Sequence, residues 1–263
     1  MLCVVVISSL LSGCATFSRD GGIDGVQSTV AQRLKQDVAL DGADKAIAQQ
    51  RVNELLAKPL GVDEAWQLAL LNNRGLKAGL AELGIAEADL VQAGRLPNPR
   101  FSMLYTRHDG DYKIEQAFTF NVFALLTMPQ AKAVEQQRFE QAKREVSLQV
   151  LALAQATRQA WVEAVAAEQS SLYAAQVMQA AEAAAELARR MYQQGNWSKL
   201  DQAREQGFYA DAALEYAAAR EHQRMARERL SRLLGLGNSD LFTLPPRLPD
   251  LPVAEDDLLQ VQQ

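Results

Sequence analysis

The body of this 263-residue chain lacks cysteine, since its only two cysteines, Cys3 and Cys14, lie at the extreme N-terminus. Disulfide and thiol chemistry are therefore excluded for the rest of the chain. The two histidines, His108 and His222, are far apart, and no His, Cys and Asp residues cluster at the spacing of a metal site. The formal net charge of −5 comes without a basic run, so the composition gives no indication of a nucleic-acid partner. After the N-terminus, no apolar stretch reaches the ~20 residues that a membrane-spanning helix needs.

Sequence motifs of catalysis are missing as well. The chain has no nucleophile elbow, no glycine-rich phosphate loop and no pair of carboxylates that stands out from a solvated helix face. Asp109 and Asp111 lie in a predicted turn, where these residue types commonly serve as turn formers. We therefore predict that the protein is not an enzyme and binds no cofactor or metal.

Glycine and proline are absent from residues 130–194, which are rich in helix-forming Ala, Gln, Glu, Leu and Arg. This stretch predicts one helix of roughly 95–100 Å. Uncharged residues follow one seam at alternating steps of four and three, which is the period of a coiled coil. The seam contains Val146, Val150, Leu153, Thr157, Ala160, Ala164, Ala167, Ser171, Ala174, Met178, Ala181, Ala185, Ala188 and Tyr192.

A second uncharged stripe on the same predicted helix mixes apolar residues with glutamine. It contains Leu148, Ala152, Gln155, Gln159, Val162, Ala166, Gln169, Tyr173, Gln176, Ala180, Ala183 and Leu187. Two uncharged flanks favour a helix with neighbours on both sides, as in a wall or bundle. An Ala-rich bundle or a partly solvated rod fits the same periodicity equally well.

The N-terminus resembles a bacterial lipoprotein signal peptide. Residues 1–13 form a short apolar segment, and Leu11-Ser12-Gly13-Cys14 matches the lipobox, which implies that Cys14 is acylated and begins the mature protein. An ordinary secretory signal or a buried apolar N-terminus is the alternative. No Lys or Arg precedes the apolar segment, so we expect the true start to lie upstream of Met1. Ala15 and Thr16 lack the Asp that marks inner-membrane retention, which favours the outer membrane.

Residues 14–62 are polar and predict a tether with two short helices and little core of its own. A helix is then predicted over residues 63–95, since Asp63 is a suitable N-cap and Pro97 prevents the helix from continuing.

From Arg100 the periodicity changes from helical to two, which predicts a β-hairpin over residues 100–123. One face is apolar and aromatic, with Phe101, Met103, Tyr105, Phe118, Phe120 and Val122. The other face is mostly polar, with Ser102, Thr106, Glu115, Thr119 and Asn121. Each arm is close to the ~9–11 residues of a tilted membrane-spanning strand. A hairpin packed on a soluble core shows the same alternation, but a lone hairpin between long helices has little soluble core to cover.

Two long helices are predicted after the hairpin. The first spans residues 129–194, with Pro129 in its first turn. The second spans residues 198–234, with Ser198 as N-cap. Its small-residue seam contains Leu200, Ala203, Gly207, Ala210, Leu214 and Ala217. Residues 244–263 form a Pro-rich segment and a short tail.

This order of elements behind a lipobox resembles the TolC-type outer membrane efflux ducts, over about residues 63–260. Short motifs carry the same resemblance. They are Ala65, Ala69-Leu70, Asn72-Asn73 and Leu76 in the first helix; Ala88, Gln92-Ala93-Gly94 and Leu96-Pro97-Asn98-Pro99 before the first strand; Tyr192, Gly195, Ser198 and Asp201 at the helical turn; and Leu233-Leu234-Gly235 before the Pro-rich stretch.

The resemblance implies a mainly α fold of very long antiparallel helices with one inserted membrane β-hairpin, which is half of a TolC-like protomer. In this family three protomers, each with two repeats, form a duct with a β-barrel in the outer membrane and a helical barrel across the periplasm. Residues 63–243 supply the first repeat, and residues 244–263 are a linker into a second repeat that the sequence does not contain. We expect either a truncated sequence or an assembly of six such halves.

The resemblance also implies a passive duct for export of small molecules or ions, driven by an inner-membrane pump through a periplasmic adaptor. The apolar hairpin face would contact outer membrane lipid, and the polar face would line the lumen. Gly195, Asn196, Trp197 and Ser198 would form the adaptor-docking tip. The family often has an apolar residue where Asn196 stands, and an ordinary turn between two helices fits the same residues.

Two other interpretations remain open. One is a lipid-anchored periplasmic coiled-coil protein that spaces envelope layers or docks a partner, with the hairpin as its head. The other is a nonfunctional fragment of a duct protein.

Overall fold

The computed structural model describes residues 17–35, 45–95, 98–108 and 111–250. The predicted signal peptide, Cys14, the turn residue Asp109 and the tail 251–263 lie outside the described residues. The elements in chain order are α1 (Ile23–Leu34), α2 (Lys45–Leu56), α3 (Val62–Asn72), α4 (Arg74–Ala93), β1 (Arg100–His108), β2 (Asp111–Thr119), α5 (Val122–Gln193), α6 (Lys199–Leu233) and a 3-10 turn (Ser239–Leu241). The chain divides into two compact units, residues 1–41 with 75–151 and residues 42–74 with 152–263.

In the first unit, α1 packs through Val26 and Val30, both fully buried. Its start lies so close to α5 that a Cβ on Gly22 would come within 2.6 Å of the Phe139 ring. In the preceding segment, the backbone N–H of Ser18 donates to Glu87 Oε1 over 2.6 Å. The prediction of a tether with little core is therefore wrong for α1. Although the segment is mostly polar, Val26 and Val30 are four positions apart and so form one packed face of the helix.

In the second unit, α2 and α3 join a core that also contains residues of α5, of α6 and of the segment after it. Its buried members are Val52, Leu55, Leu60, Ala65, Leu68, Ala69, Ala160, Trp161, Ala164, Val165, Ala167, Ala226, Leu230, Leu234, Phe242 and Leu244. The indole N–H of Trp161 donates to the Leu60 carbonyl over 2.7 Å. The Leu60 N–H in turn donates to the Thr243 carbonyl over 2.8 Å. Hydrogen bonds thus join the loop before α3 to α5 and to the segment after α6.

The helix predicted over residues 63–95 is in fact two helices, α3 and α4, separated at Asn73. Asn73 has φ −62° and ψ 123°, which is extended rather than helical backbone. Its side-chain amide donates to the Leu233 carbonyl over 2.9 Å, and the amide of Asn72 donates to the Gly235 carbonyl over 2.8 Å. These bonds satisfy carbonyls at the end of α6 that have no partner within the helix. The break therefore allows Asn72 and Asn73 to contact the end of α6. Local helix propensity does not predict such a contact between distant parts of the chain.

The long helix α5 begins seven residues earlier than predicted. Asn121 is its N-cap, because its Oδ1 accepts the backbone N–H of Ala124 over 2.9 Å. Pro129 consequently lies inside the helix rather than in its first turn. The helix ends at Gln193, and α6 runs antiparallel to it, since Glu163 and Glu168 of α5 bind Arg229 and Arg227 of α6. The prediction of a mainly α fold with very long antiparallel helices and one hairpin is confirmed.

The two uncharged stripes of α5 differ in their solvent exposure. Most of the first seam is buried, from Val146 and Val150 in the first unit to Ala181, Ala185 and Ala188 in the second. The second stripe is mostly exposed, including Leu148, Val162, Tyr173 and Leu187 at 45% exposure or more. At 100° per residue the two stripes lie on roughly opposite sides of the helix. The described residues of this chain therefore cover α5 mainly on the side of the first seam.

The small-residue seam predicted for α6 does not pack within this chain, because all six of its residues are exposed. The packed face of α6 lies on the opposite side. It consists of Glu205, Tyr209, Ala212, Tyr216, Ala219, Gln223, Ala226 and Leu230, which are buried or half-buried. Tyr and Gln occupy this face together with Ala, so residue size alone does not identify it.

Candidate functional sites: the hairpin and the helical turn

The hairpin separates two chemically different faces. Its antiparallel register pairs Phe101 with Phe118, Met103 with Gln116 and Tyr105 with Ile114. Directly opposed residues share a face, so the predicted apolar residues of both strands lie together. Tyr112 extends this face, since its ring stacks on that of Tyr105 with 6.4 Å between centroids. All of these aromatic side chains are exposed, between 58% for Tyr105 and 71% for Tyr112.

The opposite face carries the predicted polar residues. Ser102 pairs with Ala117, Leu104 with Glu115, Thr106 with Lys113 and Arg100 with Thr119. Lys113 and Glu115, two residues apart on this face, form a salt bridge. The polar set Ser102, Thr106, Glu115 and Thr119 is therefore brought together as expected, with Leu104 and Ala117 as apolar members. What each face contacts stays a prediction.

Three residues assigned to the hairpin lie outside it. Strand β2 ends at Thr119, so Phe120 and Asn121 form a short connection and Val122 is the first residue of α5. Asn121 is not a strand residue facing a lumen, because its side chain caps the helix. Asparagine is among the preferred N-cap residues, and this signal in the sequence was overlooked. Val122 is 59% exposed, but it is presented by a helix and not by a strand.

The turn between α5 and α6 brings the four predicted tip residues together. Gly195 has φ +76°, the left-handed conformation that ends many helices. The N–H groups of Gly195 and Asn196 donate to the carbonyls of Tyr192 and Met191, both over 2.9 Å. This pattern of two bonds is a Schellman motif. Ser198 then caps α6, because its Oγ accepts the Asp201 N–H over 3.1 Å. The turn is thus held by backbone bonds, and Trp197 projects from it half-buried.

A charged cluster lies two turns before this tip on α5. Arg189 donates to both carboxylate oxygens of Glu186, and Arg190 donates to one of them, all over 2.8 Å. These bonds, that of Arg189 first, lower the pKa of Glu186 to about 2 from its ordinary value of 4.5. The carboxylate therefore stays charged well below neutral pH.

The part of the chain that the structure describes contains no group of three or more His, Cys, Asp or Glu side chains that could hold a metal ion. Among these same residues, none of the helices is long and apolar enough to cross a lipid bilayer. The buried hydrogen bond from Trp161 and the partly buried bonds from Asn72 and Asn73 were missed by sequence reasoning, because their acceptors lie roughly 100–160 residues away in the chain.

A β-hairpin inserted between α4 and the long helix α5, with α6 returning antiparallel to α5 after a tight turn, is the arrangement of a TolC-like fold. Three solved structures share this fold. They are a membrane protein from Pseudomonas aeruginosa (TM-score 0.60, covering 71% of this chain and 47% of that one), the Campylobacter jejuni CmeC outer membrane channel (0.61, 73% and 45%) and the outer-membrane channel OprN (0.54, 78% and 48%). Each is 16% identical in sequence, a level at which the likeness shows the fold.

The chain spans about half the length of these structures. No protein-family model matches its sequence, and no curated protein matches it either. The TolC-like fold is therefore recognised from the arrangement of helices and strands.

Proposed function

We propose that this chain is an outer membrane channel component of a tripartite efflux system, in which it forms part of a passive duct for small molecules or ions. The hairpin carries this proposal. Its strands of nine residues each present an exposed aromatic face and a mostly polar face. Nine residues are enough for a tilted strand to cross the hydrocarbon core of a membrane. In such a strand the apolar face contacts lipid and the polar face contacts water.

The exposed second stripe of α5 supports assembly with further copies of a TolC-like repeat. An uncharged stripe that runs along a helix opposite its buried seam is a surface on which another helix can pack. Assembly as a trimer of longer chains, or from six copies of this half, would close the duct. Energy for export would come from an inner-membrane pump, and a periplasmic adaptor would bind the turn Gly195–Ser198. Acylation of Cys14 would anchor the N-terminus in the same membrane.

Detergent dependence tests this function against a lipid-anchored periplasmic rod. The variant Cys14→Ala, exported by a replacement secretory signal, removes the proposed lipid while keeping the hairpin. A duct component stays in the outer membrane fraction and needs detergent for extraction, because Phe101, Tyr105 and Phe118 still contact lipid. A periplasmic rod becomes soluble without detergent, and this result would contradict the proposal. Replacing Phe101 and Phe118 by Ser in the same background is the matched control that should release a hairpin-anchored protein.

A further inference from the structure

The first two turns of α5 expose large apolar side chains in a region without charge. Val122, Phe123 and Leu126 are 59%, 75% and 71% exposed. At 100° per residue they lie within about 100° of the helix circumference, so they form one apolar patch. The sequence from Gln116 to Ala131 contains no charged residue at all. A surface helix in water normally carries polar side chains on its exposed face, and these turns do not.

Three basic residues, Arg95, Arg100 and Lys132, are close in sequence to this patch. Arg95 and Arg100 flank the entry to the hairpin, and residues 90–108 contain no acidic residue. Lys132 is the first charged residue after the uncharged run. All three cations are exposed, and within the described residues none of them makes a salt bridge. An apolar patch on a helix whose first turns have cations without a salt bridge nearby is complementary to acyl chains with anionic phospholipid headgroups above them.

A cleft of about 680 Å³ adjoins the same turns. Arg95 and Asn98 line it together with Thr127 and Met128 of α5. Phe17, which is 54% exposed and stands three residues after Cys14 in the sequence, also lines it. At 100° per residue, Thr127 and Met128 lie on the other side of α5 from Val122, Phe123 and Leu126. The cleft therefore places one of the three cations beside the same turns, on the side away from the patch.

We infer that the first two turns of α5, with Arg95, Arg100 and Lys132, form a contact surface for the phospholipid membrane. Val122, Phe123 and Leu126 lie at the boundary of the acyl chains, and the three cations bind headgroup phosphates. Membrane contact thus continues from the strands into the first two turns of α5. The rest of α5 then lies in water. This inference rests on the proposed function, since it requires the hairpin to lie in a bilayer.

Quenching by lipid measures this contact at single residues. A fluorescent amino acid is introduced by codon suppression at position 123 or 126 of the full chain, which is then reconstituted into phosphatidylethanolamine–phosphatidylglycerol vesicles with brominated acyl chains. Position 118 in β2 reports the hairpin, and position 138, where Arg138 is exposed and bonded to Glu135, reports a surface in water. We expect quenching at 118, 123 and 126 and none at 138. Quenching at 118 alone would overturn the inference and leave the proposed function intact. Absence of quenching at 118 would overturn both.

A second arm tests the cations. The bromine is carried either by phosphatidylglycerol or by phosphatidylethanolamine at the same mole fraction, with the fluorophore at position 126. A single cation near an anionic surface is expected to enrich the anionic lipid by up to roughly fivefold. Phosphatidylglycerol should therefore quench more strongly, and Arg95→Gln, Arg100→Gln and Lys132→Gln together should abolish the difference. Equal quenching by the two lipids, or an equal effect of the control Arg138→Gln, would overturn the role of the three cations.

Discussion

Trp161 donates its indole N–H to the carbonyl oxygen of Leu60 over 2.7 Å, although 101 positions separate the two residues. Trp161 is 3% exposed and Leu60 is fully buried, so water does not compete for this bond. The bond holds the loop before α3 against the middle of α5. It is a buried side-chain hydrogen bond that joins distant parts of the chain.

Trp161→Phe is expected to destabilise the second unit by about 2–4 kcal/mol. The substitution removes the donor, leaves the buried Leu60 carbonyl unsatisfied and opens a small cavity. Denaturant unfolding of the detergent-solubilised protein, followed by circular dichroism, measures the change. Trp197→Phe is the matched control, because Trp197 lies half-buried in the helical turn. Equal effects of the two substitutions would contradict the importance of the buried bond.

Two glycines with positive φ should respond differently to alanine. Gly195 has φ +76° and open space around it, so Gly195→Ala should cost only the ~1–2 kcal/mol of the left-handed conformation. Gly235 has φ +68°, and a Cβ there would lie 2.3 Å from the backbone oxygen of Asn72. Gly235→Ala must therefore also displace the contact between α3 and the end of α6.

Thermal unfolding of the two variants tests this difference. We expect a clearly larger decrease in Tm for Gly235→Ala than for Gly195→Ala. Asparagine tolerates the left-handed region, so Gly195→Asn should recover part of the loss. Gly235→Asn should not recover it, because the clash involves backbone rather than φ. Recovery at both positions would show that conformation alone determines the cost.

Thr157 lies on the buried seam of α5 with a fully buried hydroxyl that has no hydrogen-bond partner. Thr157→Val keeps the shape of the side chain and removes the unsatisfied group. The free energy of unfolding should therefore increase by about 1–2 kcal/mol. Thr127→Val is the control, because the Thr127 hydroxyl donates to the Phe123 carbonyl over 3.1 Å. A loss of stability in Thr157→Val would mean that the hydroxyl has a partner in solution.

The periodic features of this chain could be predicted from its sequence, and the contacts between distant residues could not. The seam of α5 follows from uncharged residues at steps of three and four, and most of it is buried. The hairpin faces follow from alternation, and the register brings them together. The break at Asn73 was missed because its cause is the end of α6, about 160 residues later. The start of α5 was missed because Pro129 is a stronger local signal than the cap at Asn121.

Glu186 should make the tip end of α5 sensitive to acid. Its pKa is lowered to about 2, so its contribution is fully present above its ordinary pKa of 4.5 and is lost as the pH falls from there through about 2. The protection factors of amides 186–193, which are the exchange rates measured by NMR or mass spectrometry divided into the intrinsic rate at each pH, should decrease over this range. Glu186→Gln should remove this pH dependence, and Glu182→Gln, one turn earlier, should retain it. The same acid response in both variants would assign it to other carboxylates.

The exposed stripe of α5 should govern self-assembly. Val162 and Tyr173 are 45% and 69% exposed, and they lie on the side of the helix opposite the buried seam. Val162→Glu combined with Tyr173→Glu places two charges on this stripe, and burying an unpaired charge between packed helices costs several kcal/mol. Sedimentation velocity in detergent should show smaller assemblies, while circular dichroism stays unchanged because the stripe is not part of the core. Ser170→Glu combined with Gln179→Glu adds the same two charges at exposed positions outside the stripe and should leave assembly intact. Unchanged assembly in the Val162/Tyr173 variant would place the interface between copies on another face, with the exposed seam of α6 as the next candidate.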